Sequence, residues 1–273
     1  MHYKHKRGTR QFLFGAIVLF FFCVVFSLLL SSALQPSGGS TTPIKSESAA
    51  SNAPQSAVAQ AGNVTELNIF GYSITQSWHG YFGNVTGAIQ LADSSNRVFY
   101  NWTLANPQGE VFASKNQSIL WSNTQCFNFT ARGNLSTGAT GETAGATNLF
   151  GMNVTQLESE YSIAWDDVDG VNETFNLLGT GTHDLFFVAN LGFSEGECRS
   201  TRIFSNVGAG ETNKFEEVLL YEPITGSVIF SSLLEDNLLG FDDRSHDFEM
   251  LVLENGHGTD TSVTPYYFFV ELE

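Results

Sequence analysis

One uncharged stretch near the N-terminus constrains this chain more than any other feature. From Phe12 to Leu30 the sequence reads FLFGAIVLFFFCVVFSLLL, nineteen residues without a charge. As an α-helix, the stretch would span roughly 28 Å, which is about the thickness of the hydrocarbon core of a bilayer. The sequence therefore predicts a transmembrane helix or signal anchor over residues 12–33.

The basic residues around this stretch predict its orientation. Those that precede it are Lys4, Lys6, Arg7 and Arg10. No basic residue follows it until Lys45. Because basic flanks stay on the cytoplasmic side, residues 1–11 are expected to form a cytoplasmic tail. The predicted localisation is the cell membrane, with the rest of the chain outside the cell.

The predicted helix has three alternative interpretations, which differ in how it is processed. A retained anchor is favoured because the apolar run is longer than the roughly 7–15 residues usual in a signal peptide. The small residues Ser31 to Ala33 also fit cleavage by a signal peptidase. A third reading is prepilin-like, because Lys6-Arg7-Gly8 precedes a hydrophobic helix that could pack into a filament.

The chain after the predicted helix divides into two parts of different composition. Residues 34–62 are rich in Ser, Ala, Gly and Pro and have no apolar periodicity. Such a composition cannot bury a core and predicts a flexible stalk. Residues 63–273 contain many short apolar segments and are expected to form the extracytoplasmic domain.

Those short segments alternate with a period of two, which indicates half-buried β-strands. In one of them Tyr100 and Trp102 alternate with Asn101, so the two aromatic side chains are expected inside and Asn101 outside. Only Gln156–Tyr161, after a capping box formed by Thr155 and Glu158, is expected to be helical. We therefore predict an all-β fold, an antiparallel β-sandwich or jelly-roll-like ectodomain.

The charge is strongly negative outside the predicted membrane segment. The chain has 12 basic and 28 acidic residues, and four of the basic ones lie before residue 34, which leaves 8 against 28 and a net charge of −20. A field of that sign repels nucleic acid and attracts cations or basic partners. Nucleic-acid binding is therefore excluded.

Three cysteines and eight glycosylation motifs bear on the compartment. Cys23 lies inside the apolar stretch, so Cys126 and Cys198 are expected to pair in a disulfide, since exterior compartments do not keep thiols reduced. Eight asparagines occupy Asn-x-Ser/Thr motifs and are candidate glycosylation sites. They are Asn63, Asn84, Asn101, Asn116, Asn128, Asn134, Asn153 and Asn172.

Few residues fit a metal or catalytic site. Asp166, Asp167 and Asp169 precede a glycine, as in part of a calcium loop, and they are weak candidates for a structural calcium ion; an acidic surface turn is the alternative. Ser245-His246-Asp247 cannot form a catalytic triad if it lies in a strand, because neighbouring side chains then point to opposite faces. No other cofactor and no enzymatic activity are expected.

Several stretches resemble a recurring pattern in other proteins. They are Trp78–Gly87, Phe99–Trp102, Gly109–Ser114, His246–Met250, Glu254–Gly256 and Tyr266–Leu272. Together they are similar to membrane-anchored archaeal surface proteins with a β-rich ectodomain. The resemblance implies an archaeal envelope setting and no known activity, so no functional residue is carried over.

Three functional hypotheses follow. The first is a non-enzymatic surface protein that contributes to envelope architecture or adhesion. The second is a subunit of an extracellular filament, either pilin-like or built by strand exchange. The third is a module that binds a glycan or a cation, with the aromatic run Trp78–Phe82 as one surface for sugars if it does not fill the core. The expected partners are the membrane, further copies of the chain and other envelope proteins.

Overall fold

The structure, a computed structural model, describes residues 35–50, 53–104, 106–129, 151–203, 215–255 and 263–272. The chain divides into two units, Met1–Gln35 and Pro36–Glu273, and the description concerns the second. The predicted span at residues 12–33 and the predicted cytoplasmic tail lie outside the described residues. In the part of the chain that is described, no helix is both long enough and apolar enough to cross a membrane.

The described residues form an antiparallel, mostly β structure, which confirms the all-β prediction. The strands are β1 Ser37–Gly38, β2 Trp78–Gly83, β3 Ala88–Ala92, β4 Val98–Thr103, β5 Gly109–Ser114, β6 Gln125–Cys126, β7 Phe186–Val188, β8 Leu191–Phe193, β9 Ser200–Arg202, β10 Glu216–Glu222, β11 Ser227–Leu233, β12 Leu238–Leu239, β13 Ser245–His246, β14 Phe248–Leu253 and β15 Tyr267–Leu272. The helices are α1 Val154–Glu160, α2 Val171–Thr174 and a 3-10 turn at Trp121–Asn123.

A seven-stranded sheet lies at the centre, in the order β1-β15-β5-β11-β10-β6, with β9 also paired to β10. The hairpin of β10 and β11 is its middle. Its turn contains Gly226, whose φ of +68° favours glycine. The carboxylate of Glu222 accepts the amides of Ile224 and Thr225 at 2.7 and 2.8 Å, so the turn is held by the residue that enters it.

The central strands are buried on both faces. In β10, Val218 and Leu220 point into one apolar cluster while Leu219 and Tyr221 point into another. Every residue of β10 is buried, so β10 is not one of the half-buried strands that alternation indicates. A strand covered on both sides has apolar residues at successive positions, as the Val-Leu-Leu-Tyr run of β10 does.

The first core lies between the central sheet, the β2–β14 pair and the two helices. Its large side chains include Phe127, Phe129, Phe175, Phe230 and Met250. Trp78 and Tyr81 of β2 pack against it from the edge, and the Trp78 ring contacts Phe175 and Phe230. Part of the aromatic run at Trp78–Phe82 thus serves packing.

The second core lies on the opposite face of the sheet, beneath the β7–β8 hairpin. Its members are Phe112, Trp121, Cys126, Phe186, Val188, Phe193, Cys198, Val218, Leu220, Ile229 and Leu233. Phe186 and Phe193 are stacked with ring centroids 4.8 Å apart. The described chain is therefore layered, with the large sheet in the middle.

Helix α1 confirms the predicted helix but corrects its cap. It begins at Val154, and the capping box joins Asn153 to Gln156 rather than Thr155 to Glu158. The Gln156 amide donates to Asn153 Oδ1 at 2.9 Å, and the Asn153 amide donates to Gln156 Oε1 at 3.0 Å. Asparagine and threonine are both favourable N-cap residues. Which of the two caps the helix therefore depends on where its first turn starts.

Side-chain carboxyl groups of the central sheet bind the backbone of the layers around it. Glu110 and Glu271, directly opposite each other on β5 and β15, accept the amides of Phe187 and Ala189 at 3.1 and 2.8 Å. Glu217 of β10 accepts the Leu251 amide of β14 at 2.8 Å. These buried glutamates satisfy peptide groups that the short outer strands leave unpaired.

Candidate interaction surface

The β3–β4 hairpin owes its shape to the polar residues of its turn. Asp93 Oδ1 accepts the amides of Ser95 and Arg97, both at 2.9 Å. Its Oδ2 accepts Arg97 Nε at 2.7 Å. Asn96 has a φ of +58°, a conformation that asparagine tolerates well. The bonds from the Arg97 and Ser95 amides, and then from the Arg97 side chain, lower the pKa of Asp93.

The hairpin has one apolar face and one largely polar face. Ile89 lies opposite Trp102 and Leu91 lies opposite Tyr100, so these four side chains share a face. The Tyr100 and Trp102 rings are in contact, with centroids 4.7 Å apart. Gln90 opposite Asn101 and Ala88 opposite Thr103 lie on the other face, together with Phe99.

The apolar face is uncovered. The relative exposures are 46% for Ile89, 52% for Leu91, 55% for Tyr100 and 48% for Trp102. None of these residues belongs to the two cores of the described chain. The alternation around Asn101 is thus as expected, but the prediction that Tyr100 and Trp102 point inward is wrong. Period two places residues on one face and does not determine what covers it.

The hairpin joins the domain at its base. The side chain of Leu272, the last residue of β15, fills the space that a Cβ at Gly87 would occupy, since the two atoms would be 2.1 Å apart. Gly87 therefore allows the start of β3 to approach the end of β15 closely. Among the described residues, β3 and β4 pair only with each other, so the hairpin is attached at one end.

A second apolar segment is exposed before β2. Residues 63–77 form no helix or strand. The exposed fraction is 86% for Ile69, 85% for Phe70, 51% for Tyr72 and 49% for Ile74. This segment and the hairpin face are the apolar surfaces that sequence reasoning missed. Their signals were present: the alternation of Ile89 and Leu91 before the Asp-Ser-Ser-Asn turn, and the strand-forming residues of the segment.

Cys126 and Cys198 are joined by a disulfide, with their Cα atoms 5.2 Å apart, as the sequence predicts. Cys126 ends β6 and Cys198 precedes β9, and both strands pair with β10. The Cys198 amide donates to Nε2 of His183 at 3.0 Å. Nδ1 of His183 therefore carries the ring proton and donates to the Asp184 carbonyl at 2.8 Å. Burial lowers the pKa of His183 and favours this neutral form.

The predicted glycosylation sites differ in accessibility. The exposed asparagines are Asn63, Asn84, Asn101 and Asn172. Asn116 is half-buried and its Nδ2 donates to Ser227 Oγ at 2.9 Å. Asn128 and Asn153 are buried, with 1% and 7% exposure. Their burial in the folded chain disfavours a glycan at either position, and glycosylation of the eight asparagines stays a prediction. Asn134 lies outside the described residues.

The acidic turn at residues 166–169 lies at the surface beside the start of β2. Asp166 is exposed, while Asp167 and Asp169 are half-buried. Desolvation, followed by the neighbouring Asp169 carboxylate, raises the pKa of Asp167. The Asp169 carbonyl accepts Trp78 Nε1 at 2.6 Å. The described residues contain no group of three or more His, Cys, Asp or Glu side chains that could hold a metal ion.

His246 binds an aspartate, but not its neighbour in the sequence. Its Nε2 lies 2.8 Å from Asp242 Oδ1. Although desolvation opposes them, hydrogen bonds from His246 and Arg244 lower the pKa of Asp242 to about 2. Asp247 instead accepts the Val85 amide at 2.8 Å. Ser245, His246 and Asp247 are therefore not brought together as a triad, and the His246–Asp242 pair fixes the loop before β14.

Comparisons with known proteins give no match to any family model, curated protein or solved structure. The resemblance to membrane-anchored archaeal surface proteins thus stays a prediction.

Proposed function

We propose that the chain is a non-enzymatic, membrane-anchored surface protein that uses the apolar face of the β3–β4 hairpin to bind other components of the cell envelope. The single observation that carries the proposal is the exposure of Ile89, Leu91, Tyr100 and Trp102 on one face of a hairpin attached at one end. Contiguous apolar surface of this kind costs solubility and marks interaction sites.

Charge supports contact through this face. The chain carries a formal net charge of −16, so most surfaces of two acidic molecules repel each other. The hairpin strands contain no charged residue, and the turn between them holds Asp93 and Arg97 in an ion pair of 2.7 Å. A partner can therefore approach the hairpin without a charge penalty, and burial of aromatic side chains supplies the favourable energy.

The remaining features support a position of this surface outside the cell. The uncharged run Phe12–Leu30 behind a basic tail supports an anchor with an exterior C-terminus. A disulfide is typical of an oxidising compartment. Asn101 lies on the polar face of the hairpin, so a glycan there would leave the apolar face free. These features support a surface protein with a role in envelope architecture or adhesion.

The test compares the two faces of the hairpin. Full-length protein with Tyr100→Ser and Trp102→Ser is compared with Phe99→Ser, which changes an aromatic residue that is 84% exposed on the opposite face. Binding of the labelled proteins to isolated cell envelopes is measured by sedimentation. The double variant is expected to lose most of its binding while Phe99→Ser keeps it, with both melting temperatures near that of the wild type.

Equal binding by the double variant and the wild type would refute the hairpin as the contact surface. A parallel loss in Phe99→Ser would show that the hairpin acts through overall hydrophobicity and not through the face that Tyr100 and Trp102 share.

A further inference from the structure

Within the described residues, a strand-forming segment has no strand partner, and the outer edge of β15 in the central sheet pairs with a strand of two residues. We propose that residues 67–74 of one copy of the chain add as a β-strand to the β15 edge of a second copy. The partner is thus the same protein, and the contact is backbone pairing of the β-augmentation type. This inference concerns a different surface from the hairpin face and stands without the function proposed above.

The segment has the properties of a donor strand. Residues 67–74 read LNIFGYSI, with no charge and no proline. Ile69 and Phe70 are 86% and 85% exposed, so their side chains lie almost entirely in solvent. The segment is fixed at its C-terminal end, where Thr75 Oγ1 donates to Asp169 and the Ser77 carbonyl accepts the Glu254 amide at 2.8 Å.

Within the described residues, little backbone pairing covers the outer edge of β15, which is the proposed acceptor. β15 has six residues, and among the described residues only Ser37 and Gly38 pair with its outer side, opposite Val270 and Phe269. A third bond runs from the Gly39 amide to the Phe268 carbonyl at 2.9 Å. Both residues of β1 are exposed, so β1 itself contributes no buried side chain to this edge. An edge of this kind is a template for a further strand.

The residue pattern of the segment fits this edge. β15 lies between the two cores, because Phe268 and Val270 pack against the first and Phe269 against the second, and all three are only half-buried. A strand added here needs apolar side chains on both faces. Leu67 and Ile69 supply one face, and Phe70, Tyr72 and Ile74 supply the other. By contrast, Ser37 and Gly38 supply neither.

The length of the segment and the area that it would bury also fit the β15 edge. Eight residues in a strand extend roughly 27 Å and the six of β15 roughly 20 Å, so the donor covers the whole edge. A standard interface buries roughly 800 Å² on each partner. Five exposed apolar side chains, two of them aromatic, contribute to that area together with the paired backbone.

A second copy of the protein is a better acceptor for the segment than the chain to which the segment belongs. Within one chain, the segment and the edge meet at an effective concentration of roughly millimolar order or above, yet the structure keeps them unpaired. Donation to another copy requires no release of Thr75 or Ser77. Reciprocal donation would close a two-fold dimer, whereas one-way donation would continue from copy to copy as a filament.

The test uses the full-length chain in detergent, which accommodates the predicted apolar helix. Sedimentation velocity over a range of concentrations compares the wild type with Phe70→Asp. The matched control is Val58→Asp, at a position that is 94% exposed in the chain before the segment. Phe70→Asp is expected to raise the dissociation constant at least about tenfold, or about 1.4 kcal/mol, and Val58→Asp to leave it unchanged.

Hydrogen exchange on the same samples locates the contact. The amides of Tyr267–Leu272 are expected to exchange more slowly as the wild type associates, and this change should be absent in Phe70→Asp. A wild type that stays monomeric up to about 100 µM, or equal association of Phe70→Asp, would overturn the proposal. Protection of β15 that needs Phe70 but not concentration would show pairing within one chain and would also overturn it.

Discussion

Removing the Cys126–Cys198 disulfide should cost a large share of the stability of this chain. The two cysteines are 72 residues apart in the sequence. A cross-link that closes a loop of this length lowers the entropy of the unfolded chain and stabilises the fold by roughly 4 kcal/mol. For a domain of this size, that corresponds to a fall in melting temperature of roughly 10–15 °C.

The fold gives a second reason to expect the full effect. Cys126 lies in β6, a two-residue strand, and Cys198 leads into β9, a three-residue strand. Both pair with β10, at Leu220–Tyr221 and at Glu216–Val218 respectively. The disulfide thus connects two short strands that share one edge of β10, and neither strand has enough backbone pairing to hold that edge alone.

The assay is guanidinium unfolding followed by tryptophan fluorescence, because Trp121 is buried in the same core as both cysteines. All variants carry Cys23→Ala, which prevents a third thiol from exchanging with the disulfide. Cys126→Ala should lose about 4 kcal/mol, and the further change Cys198→Ala should add little, since the cross-link is already broken. A loss below about 1 kcal/mol in the double variant would refute the reasoning.

Three further predictions concern pH, backbone conformation and glycosylation. Burial raises the pKa of Glu217 well above its ordinary value of 4.5, so the folded chain keeps a proton that the unfolded chain loses. The stability of the wild type should therefore fall as the pH rises from that value. Glu217→Gln should flatten this pH dependence in thermal melts. Gly196→Ala should cost about 1–3 kcal/mol more than Gly181→Ala in denaturant titrations, because both positions have positive φ but only a Cβ at Gly196 would meet backbone, 2.0 Å from a carbonyl oxygen. Mass spectrometry of glycopeptides from the natural host should find glycan on Asn101 and none on the two buried sequon asparagines.

Each of these predictions has a contrary result. An unchanged pH dependence in Glu217→Gln would mean that this carboxyl does not retain a proton in the folded state. Equal losses at Gly196 and Gly181 would mean that the backbone near Gly179 moves aside at little cost. Glycan on Asn128 or Asn153 would be incompatible with the burial of these side chains.

The disulfide and the antiparallel β architecture could be predicted from the sequence, for different reasons. Cys126 and Cys198 are the only cysteines outside the apolar stretch, so elimination was enough. The strands were recognisable from the alternation of apolar residues. Alternation also gave the correct grouping of Tyr100 with Trp102, since a period of two fixes which residues share a face.

What covers a face could not be predicted in this way. The same alternation describes a strand packed on a core, as in β14, and a hairpin with an uncovered face, as in β3–β4. The strand at Ser37–Gly38 gave no signal at all, because it pairs through its backbone and buries no side chain. The burial of Asn128 and Asn153 depended on tertiary packing, which a three-residue motif does not contain.

The buried acidic residues of this chain affect the response to ionic strength that its composition would suggest. At least eight acidic residues of the described chain are buried: Glu110, Glu158, Glu216, Glu217, Glu222, Asp247, Glu249 and Glu271. Mobile ions screen exposed charges effectively and buried groups much less. A chain so acidic would ordinarily be expected to need salt in order to relieve repulsion across its surface. Here a substantial part of that acidity lies in the interior, bonded to peptide amides, where dissolved salt has little influence.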